Sequence, residues 1–227
     1  MNAAHDSRSL FLAGPAGRLE AILWTPAQQP FGAASSEAAK WAAVVCHPHP
    51  LFGGTLHNKV AYQAAKSLSG LAIPVLRFNF RGAGLSEGTH DRGRGEVKDA
   101  RAALDFLGAE FPGRDLLVAG FSFGSWVGLR AGCEDSRVAR LIGMGIPVNS
   151  SDFSYLAHCA KPKLFVHGSG DVHGDVNKAR QLVATLPDEN RFVEVADADH
   201  FFTGKLEQLD RAITAWLSPV LSAENDS

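Results

Sequence analysis

Asp115-Leu116-Leu117-Val118-Ala119-Gly120-Phe121-Ser122-Phe123-Gly124-Ser125-Trp126-Val127-Gly128-Leu129-Arg130-Ala131 is the stretch on which the fold turns. Leu116–Ala119 is apolar at every position, as a strand buried on both faces must be. Gly124–Ala131 reads as a helix. Between them Gly120-Phe121-Ser122-Phe123-Gly124 fits Gly-x-Ser-x-Gly, a serine on a sharp strand-to-helix turn. The flanking glycines are needed because side chains there collide with the neighbouring strand and helix, and the serine itself sits in strained backbone. The turn aims the helix N-terminus at the hydroxyl, where its dipole and free N–H groups favour negative charge. Ser122 is therefore the expected nucleophile. A second match, Gly84-Leu85-Ser86-Glu87-Gly88, lacks both flanks and reads as a structural turn.

Outward from this unit, apolar runs alternate with amphipathic segments. Leu10–Ala13 and Arg18–Trp24 read as antiparallel strands around Gly14-Pro15-Ala16-Gly17. Strands follow at Trp41–Cys46, Ile73–Phe80, Leu141–Ile146, Lys163–His167 and Arg191–Val195. Helices fall at Leu56–Leu68, Glu96–Glu110, Val176–Leu186 and Lys205–Leu217, with a short one over Asp152–Cys159. The alternation predicts an α/β fold: a mostly parallel sheet with helices on both faces. No repeat or second domain is visible, so residues 1–227 read as one domain. Residues 26–40 read as a surface loop and 222–227 as a disordered tail.

Composition narrows the function classes. Of the 227 residues, 45% are hydrophobic, enough for a large core. The formal net charge is −2, with no basic cluster to neutralise phosphates, which argues against a nucleic-acid partner. Cys46, Cys133 and Cys159 are well separated and odd in number, as in a reducing cytoplasm rather than a disulfide framework. The N-terminal residues carry no secretory apolar stretch, and no apolar run is long enough to span a bilayer. A cytoplasmic protein with no membrane partner is expected.

A serine hydroxyl needs a base, and the base needs a third group to hold its tautomer. With a nucleophile on such a turn, the chain order is Ser, then Asp or Glu, then His. His200 follows the strand Arg191–Val195 through a short polar loop, at the strand end where sites of open parallel sheets lie. His167 reads as a core histidine, and His158 and His173 as surface residues. The acid leaves the preceding strand in Gly168-Ser169-Gly170-Asp171. Asp171 is the first choice, with Asp175 as the alternative. Asp199 is expected to point away from its neighbour His200.

Four segments resemble the α/β-hydrolase superfamily, over a span from about Leu10 to the C-terminal helix. Gly120–Gly124 looks like its nucleophile elbow. Phe78-Asn79-Phe80-Arg81-Gly82-Ala83-Gly84-Leu85-Ser86 resembles its D-x-R-G-x-G-x-S loop, with Asn79 in place of the usual Asp. Val166–Asp171 resembles the acid loop, and Asp199-His200-Phe201-Phe202 the histidine loop. Cys46-His47-Pro48-His49-Pro50-Leu51-Phe52-Gly53-Gly54-Thr55 is similar to a group of small bacterial serine hydrolases. The resemblance implies an eight-stranded sheet with only its second strand antiparallel.

In such a site two backbone N–H groups stabilise the tetrahedral oxygen. One belongs to Phe123, after the nucleophile. The other comes from the His47–Thr55 loop. Pro48 and Pro50 have no N–H, which leaves Leu51, preferred, or His49. His49, Phe52 and Phe121 are expected in the substrate pocket, with Phe123 and Leu51 beside them. His47, His49 and His57 invite a zinc reading, but a serine elbow needs no metal, so neither metal nor cofactor is expected. His47 is expected to be buried and hydrogen-bonded beneath the site.

The resemblance thus implies a serine esterase acting on small soluble esters through an acyl-enzyme. Thioesterase or peptidase activity on the same residues and a non-catalytic scaffold are the alternatives. Too few residues separate Leu141–Ile146 from Lys163 to build a large cap domain. The partner expected is a small ester, with a homodimer left open.

Overall fold

Every residue of β3 (Trp41–Cys46) is buried, because both faces of this strand meet a core. Ala42, Val44 and Cys46 enter one core, and Trp41, Ala43 and Val45 the other. The structure, a computed structural model, describes residues 5–27, 40–187 and 189–223. Among these, eight strands form one sheet: β1 (His5–Gly14), β2 (Gly17–Pro26), β3, β4 (Val75–Phe78), β5 (Asp115–Phe121), β6 (Val138–Met144), β7 (Lys163–Gly168) and β8 (Asn190–Val195). Their order is β1-β2-β4-β3-β5-β6-β7-β8. β2 runs antiparallel to β1 and β4, and the remaining pairs are parallel.

Helices cover both faces. α2 (Arg94–Glu110), α3 (Phe123–Glu134) and α4 (Val176–Ala184) bury Ala103, Leu104, Val127, Leu129, Ala179 and Val183 on one side. α1 (Lys59–Gly70) and α5 (Leu206–Ala223) bury Ala61, Ala64, Leu68, Leu209, Ile213 and Leu217 on the other. This is the α/β-hydrolase arrangement expected from the sequence.

Several boundaries differ from those expected, among them β1, β4 and β6. α1 starts later than its apolar pattern does, because the Asn58 side chain accepts the Val60 and Ala61 amides and sets the N-terminus. The segment expected as a helix over Asp152–Cys159 holds only a 3₁₀ turn at Ser154–His158. α5 runs through Pro219 to Ala223, so the first two residues of the expected 222–227 tail are helical. Its last four residues lie outside the described residues, as do residues 28–39 of the expected 26–40 loop. Between β6 and β7, residues 145–162 hold only that 3₁₀ turn and build no cap domain.

The loop from β4 to α2 passes beside the sheet's C-terminal edge, and one ion pair pins it. Arg81 Nε and Nη2 donate to both Asp99 oxygens at 2.9 and 2.7 Å, and the Arg81 amide adds a third bond at 3.1 Å. Arg81 Nη2 also reaches the Gly95 carbonyl at 2.9 Å. The Asp99 side chain is fully buried. Removing one partner strands the other charge, so Asp99→Ala is expected to lower the unfolding free energy by about 3 kcal/mol. Urea titration at neutral pH measures it.

Candidate active site

β5 delivers Ser122 in a conformation few side chains adopt, with φ 53° and ψ −123°. The Ser122 amide donates to Met144 O at 3.0 Å, and Ser125 Oγ donates to Ser122 O at 2.6 Å. The glycines let the chain pass: a Cβ on Gly124 would sit 2.4 Å from the carbonyl oxygens of Cys46 and His47, and one on Gly120 would sit 2.3 Å from Gly124 O. The packing that fixes the turn therefore also presses the start of α3 against the end of β3.

Loops after β7 and β8 bring Asp171 and His200 to this turn. His200 Nε2 lies 2.9 Å from Ser122 Oγ, and His200 Nδ1 lies 2.7 Å from Asp171 Oδ2. A carboxylate only accepts, so Nδ1 carries the proton and the Nε2 lone pair faces the serine hydroxyl. Asp171 Oδ1 accepts the amides of His173 and Gly174 at 2.8 and 3.0 Å. Burial pushes the Asp171 carboxyl up, but the His200 hydrogen bond, the charges of His200 and His167 and the His173 amide outweigh it, leaving it below the usual range.

The other candidates serve elsewhere. Asp175 caps α4 by accepting the Asn177 and Lys178 amides, both at 2.9 Å. Asp199 Oδ1 accepts the Thr203 amide at 2.8 Å. His167 is fully buried, with Nε2 2.8 Å from Gly174 O. Ser86 Oγ accepts the Glu20 amide at 2.9 Å and donates to Asn79 O at 2.7 Å. Asn79 accepts the Leu56 amide at 2.7 Å and donates to Glu20 at 2.6 Å, so it too fixes loops.

The loop after β3 departs from expectation. The Leu51 amide already donates to His49 Nδ1 at 3.2 Å, inside the 3₁₀ turn Pro50–Phe52. The N–H of Leu51, expected as the second oxyanion donor, is therefore already engaged. The His49 amide makes no hydrogen bond among the described residues, and the His49 ring lies 4.7 Å from that of Phe123. Phe121, expected in the pocket wall, is fully buried and backs the His200 ring at 4.9 Å, and the Phe123 side chain is buried too. Phe52 is 86% exposed and Leu51 67%, at the open rim.

Two neighbours escaped the sequence reading. The exposed His173 stacks obliquely on His200, with ring centroids 4.6 Å apart. His90 lies 4.7 Å from His49 and 5.5 Å from Phe123, with Nδ1 3.0 Å from buried Glu96. Each comes from a loop whose path local patterning does not encode.

A serine turn with a histidine and a carboxylate at these strand ends defines an α/β hydrolase. No family model matches the chain. It is 36% identical to an uncharacterized protein of Rickettsia prowazekii (strain Madrid E), over 94% of this chain and 90% of that one. Its structure is similar to that of XC6422 from Xanthomonas campestris, described as an α/β serine hydrolase without lid (TM-score 0.86, 36% identity, 96% of each chain covered). It is also similar to an α/β serine hydrolase homologue from Coxiella burnetii (TM-score 0.84, 34% identity, 92% of this chain and 97% of that one). The chain belongs to the α/β serine hydrolase family. No helix among the described residues is long and apolar enough to cross a membrane.

Beneath the site, His47 is fully buried, with Nδ1 2.6 Å from Pro48 O and Nε2 accepting the Phe80 amide at 3.0 Å. Both nitrogens are committed, so neither is free for a metal. Burial, against the Pro48 bond, lowers its pKa from 6.5 to about 4. Below about pH 6.5 the unfolded chain takes up a proton that folded His47 refuses, so stability falls with pH until about 4. The slope for this one group is about 1.4 kcal/mol per pH unit. Urea unfolding across this window is expected to show that slope, reduced by one proton in His47→Gln.

Proposed function

We propose that the protein hydrolyses carboxylic esters of small soluble substrates through an acyl-enzyme, with Ser122 as nucleophile, His200 as base and Asp171 as its orienting acid. The observation that carries this reading is the unbroken hydrogen-bond chain from Asp171 Oδ2 through His200 to Ser122 Oγ. Ser122 Oγ attacks the ester carbonyl while His200 Nε2 takes its proton. The tetrahedral oxygen is held by the amides of Phe123 and His49, and Leu51 is set aside because its N–H is engaged. His200 then gives the proton to the departing alcohol, and water repeats the sequence on the acyl-enzyme. Asp171, held below the usual range, stays ionised as pH falls and keeps its hold on the imidazole. Three free thiols support a reducing, cytoplasmic setting.

Ser122→Ala and His200→Ala are each expected to lose on the order of 10³-fold or more in ester hydrolysis, with the double variant no worse. Asp171→Asn should cost far more than Asp175→Asn, which touches only a helix cap. Fluorophosphonate labelling supplies a second readout: folded protein that stays unlabelled at Ser122 overturns the reading in favour of a non-catalytic scaffold.

Substrate size follows from the open rim and the absence of a cap between β6 and β7. Exposed Leu51 and Phe52 can cover a few methylenes, at about 0.8 kcal/mol each, but enclose no long chain. Across p-nitrophenyl esters from acetate to palmitate, kcat/KM is expected to peak at short acyl chains without interfacial activation. A maximum at palmitate contradicts the small-substrate reading.

A further inference from the structure

Three aromatic rings border the His200 imidazole, and one of them can carry a charge. Phe121 lies behind it at 4.9 Å, and Phe201 meets it edge-on at 5.2 Å. The third is His173, at 4.6 Å with its plane tilted by 55°. His173 belongs to the loop that also supplies the acid, and its amide donates to Asp171 Oδ1 at 2.8 Å. Asp171 Oδ2 in turn meets His200 Nδ1 at 2.7 Å. One residue thus touches both partners of the serine, the carboxylate through its backbone and the imidazole through its ring. Phe121 is fully buried, whereas His173 is exposed, so its ring exchanges protons with water.

During acyl transfer His200 takes the Ser122 proton and becomes an imidazolium, whose charge the Asp171 carboxylate stabilises. A neutral aromatic ring against a cation adds a modest attraction. A second imidazolium at 4.6 Å opposes the charge instead. The other ionisable groups beside His173 are already engaged. Asp171 accepts the His173 and Gly174 amides and meets His200. Buried His167, from the end of β7, meets Gly174 O. Asp175 accepts the Asn177 and Lys178 amides at the start of α4. Among the described residues neither carboxylate forms an ion pair with the His173 ring.

We propose that His173 is a positioning residue for acyl transfer: its neutral ring holds the His200 imidazole between Asp171 and Ser122, and a proton on that ring makes His200 a weaker base. The role rests on the catalytic reading above. The His173 proton comes from water and returns to it, so the step needs no co-reactant. A phenylalanine in this place covers His200 equally but keeps one charge state at every pH. A small side chain leaves the Asp171 amide bond in place and removes only the cover. The two substitutions therefore separate the ring's packing from its charge.

The test joins an NMR titration of the histidine rings in the full-length protein to kinetics with p-nitrophenyl acetate. In the wild type the His200 curve is expected to depart from a single ionisation, because the neighbouring proton is coupled to it. In His173→Phe it should fit one ionisation with a higher midpoint. His173→Ala should lose on the order of 10-fold in kcat with KM nearly unchanged. His173→Phe should keep the wild-type kcat at alkaline pH, with an acid limb that fits one proton. Circular dichroism checks the folding of both variants, and His173→Phe decides if His173→Ala does not fold. A His200 titration unmoved in His173→Phe, a wild-type kcat in folded His173→Ala, or a loss confined to KM overturns the proposal. The titration needs no turnover: a wild type without esterase activity sinks the catalytic reading, whereas turnover with an unmoved His200 titration sinks only the role of His173.

Discussion

Gly124 lies against the carbonyl oxygens of Cys46 and His47 so closely that any side chain would overlap them. That contact brings the first turn of α3 onto the end of β3, and the geometry of the site follows. It forces the left-handed backbone at Ser122, lifts the hydroxyl above the sheet and leaves the Phe123 amide at the helix start. It also brings the His47–Thr55 loop beside Phe123, where the His49 ring meets the Phe123 ring. The strain of a non-glycine residue at φ 53° is offset by surrounding bonds to Met144 O and from Ser125. A stable elbow and the placing of the His47–Thr55 loop beside Phe123 thus share one cause, the close approach of a helix to a strand.

The opposite side of the site is organised by charge. Asp171 is 7% exposed, and a buried carboxylate persists only if its oxygens are satisfied. Two amides of its own loop take one oxygen and His200 takes the other. Gly174 does double service, since its N–H holds Asp171 while its carbonyl meets His167. The sequence His-Gly-Ser-Gly-Asp therefore reads physically as a strand end, a tight turn and a self-solvating carboxylate. His167, for all its proximity to Asp171, acts as the buttress of that turn.

Much of this was legible from residue order. The elbow glycines, the apolar strands and the polar loops after β7 and β8 point to Ser122, Asp171 and His200 without coordinates, and the structure brings those three together. Local cues carried that reading because Ser122 directly follows a strand, and Asp171 and His200 lie in the short loops after β7 and β8. What could not be read depends on how loops fold back. The Leu51 amide is engaged by the ring of nearby His49, an intraloop bond with no sequence signature. Phe121 lies one residue before the nucleophile, yet strand alternation turns it inward beneath His200. The Asp152–Cys159 segment has helical spacing, but its Trp126 and Tyr155 contacts clamp it to α3 after a single 3₁₀ turn.

Residues 145–162 build no cap, yet His200 is well shielded. His200 is only 5% exposed although the rim above it is open. Its shielding comes from rings supplied by neighbouring loops: Phe121 behind at 4.9 Å, Phe201 edge-on at 5.2 Å and His173 across the remaining face at 4.6 Å. These packed rings keep water away from the Asp171–His200 bond, where a lower local dielectric strengthens the charge interaction that holds the imidazole. Among the described residues, Leu51 and Phe52 at the rim stay largely exposed. A covered histidine and carboxylate behind the serine and an exposed rim beside it thus come from different loops, the first from those after β7 and β8 and the second from the loop after β3.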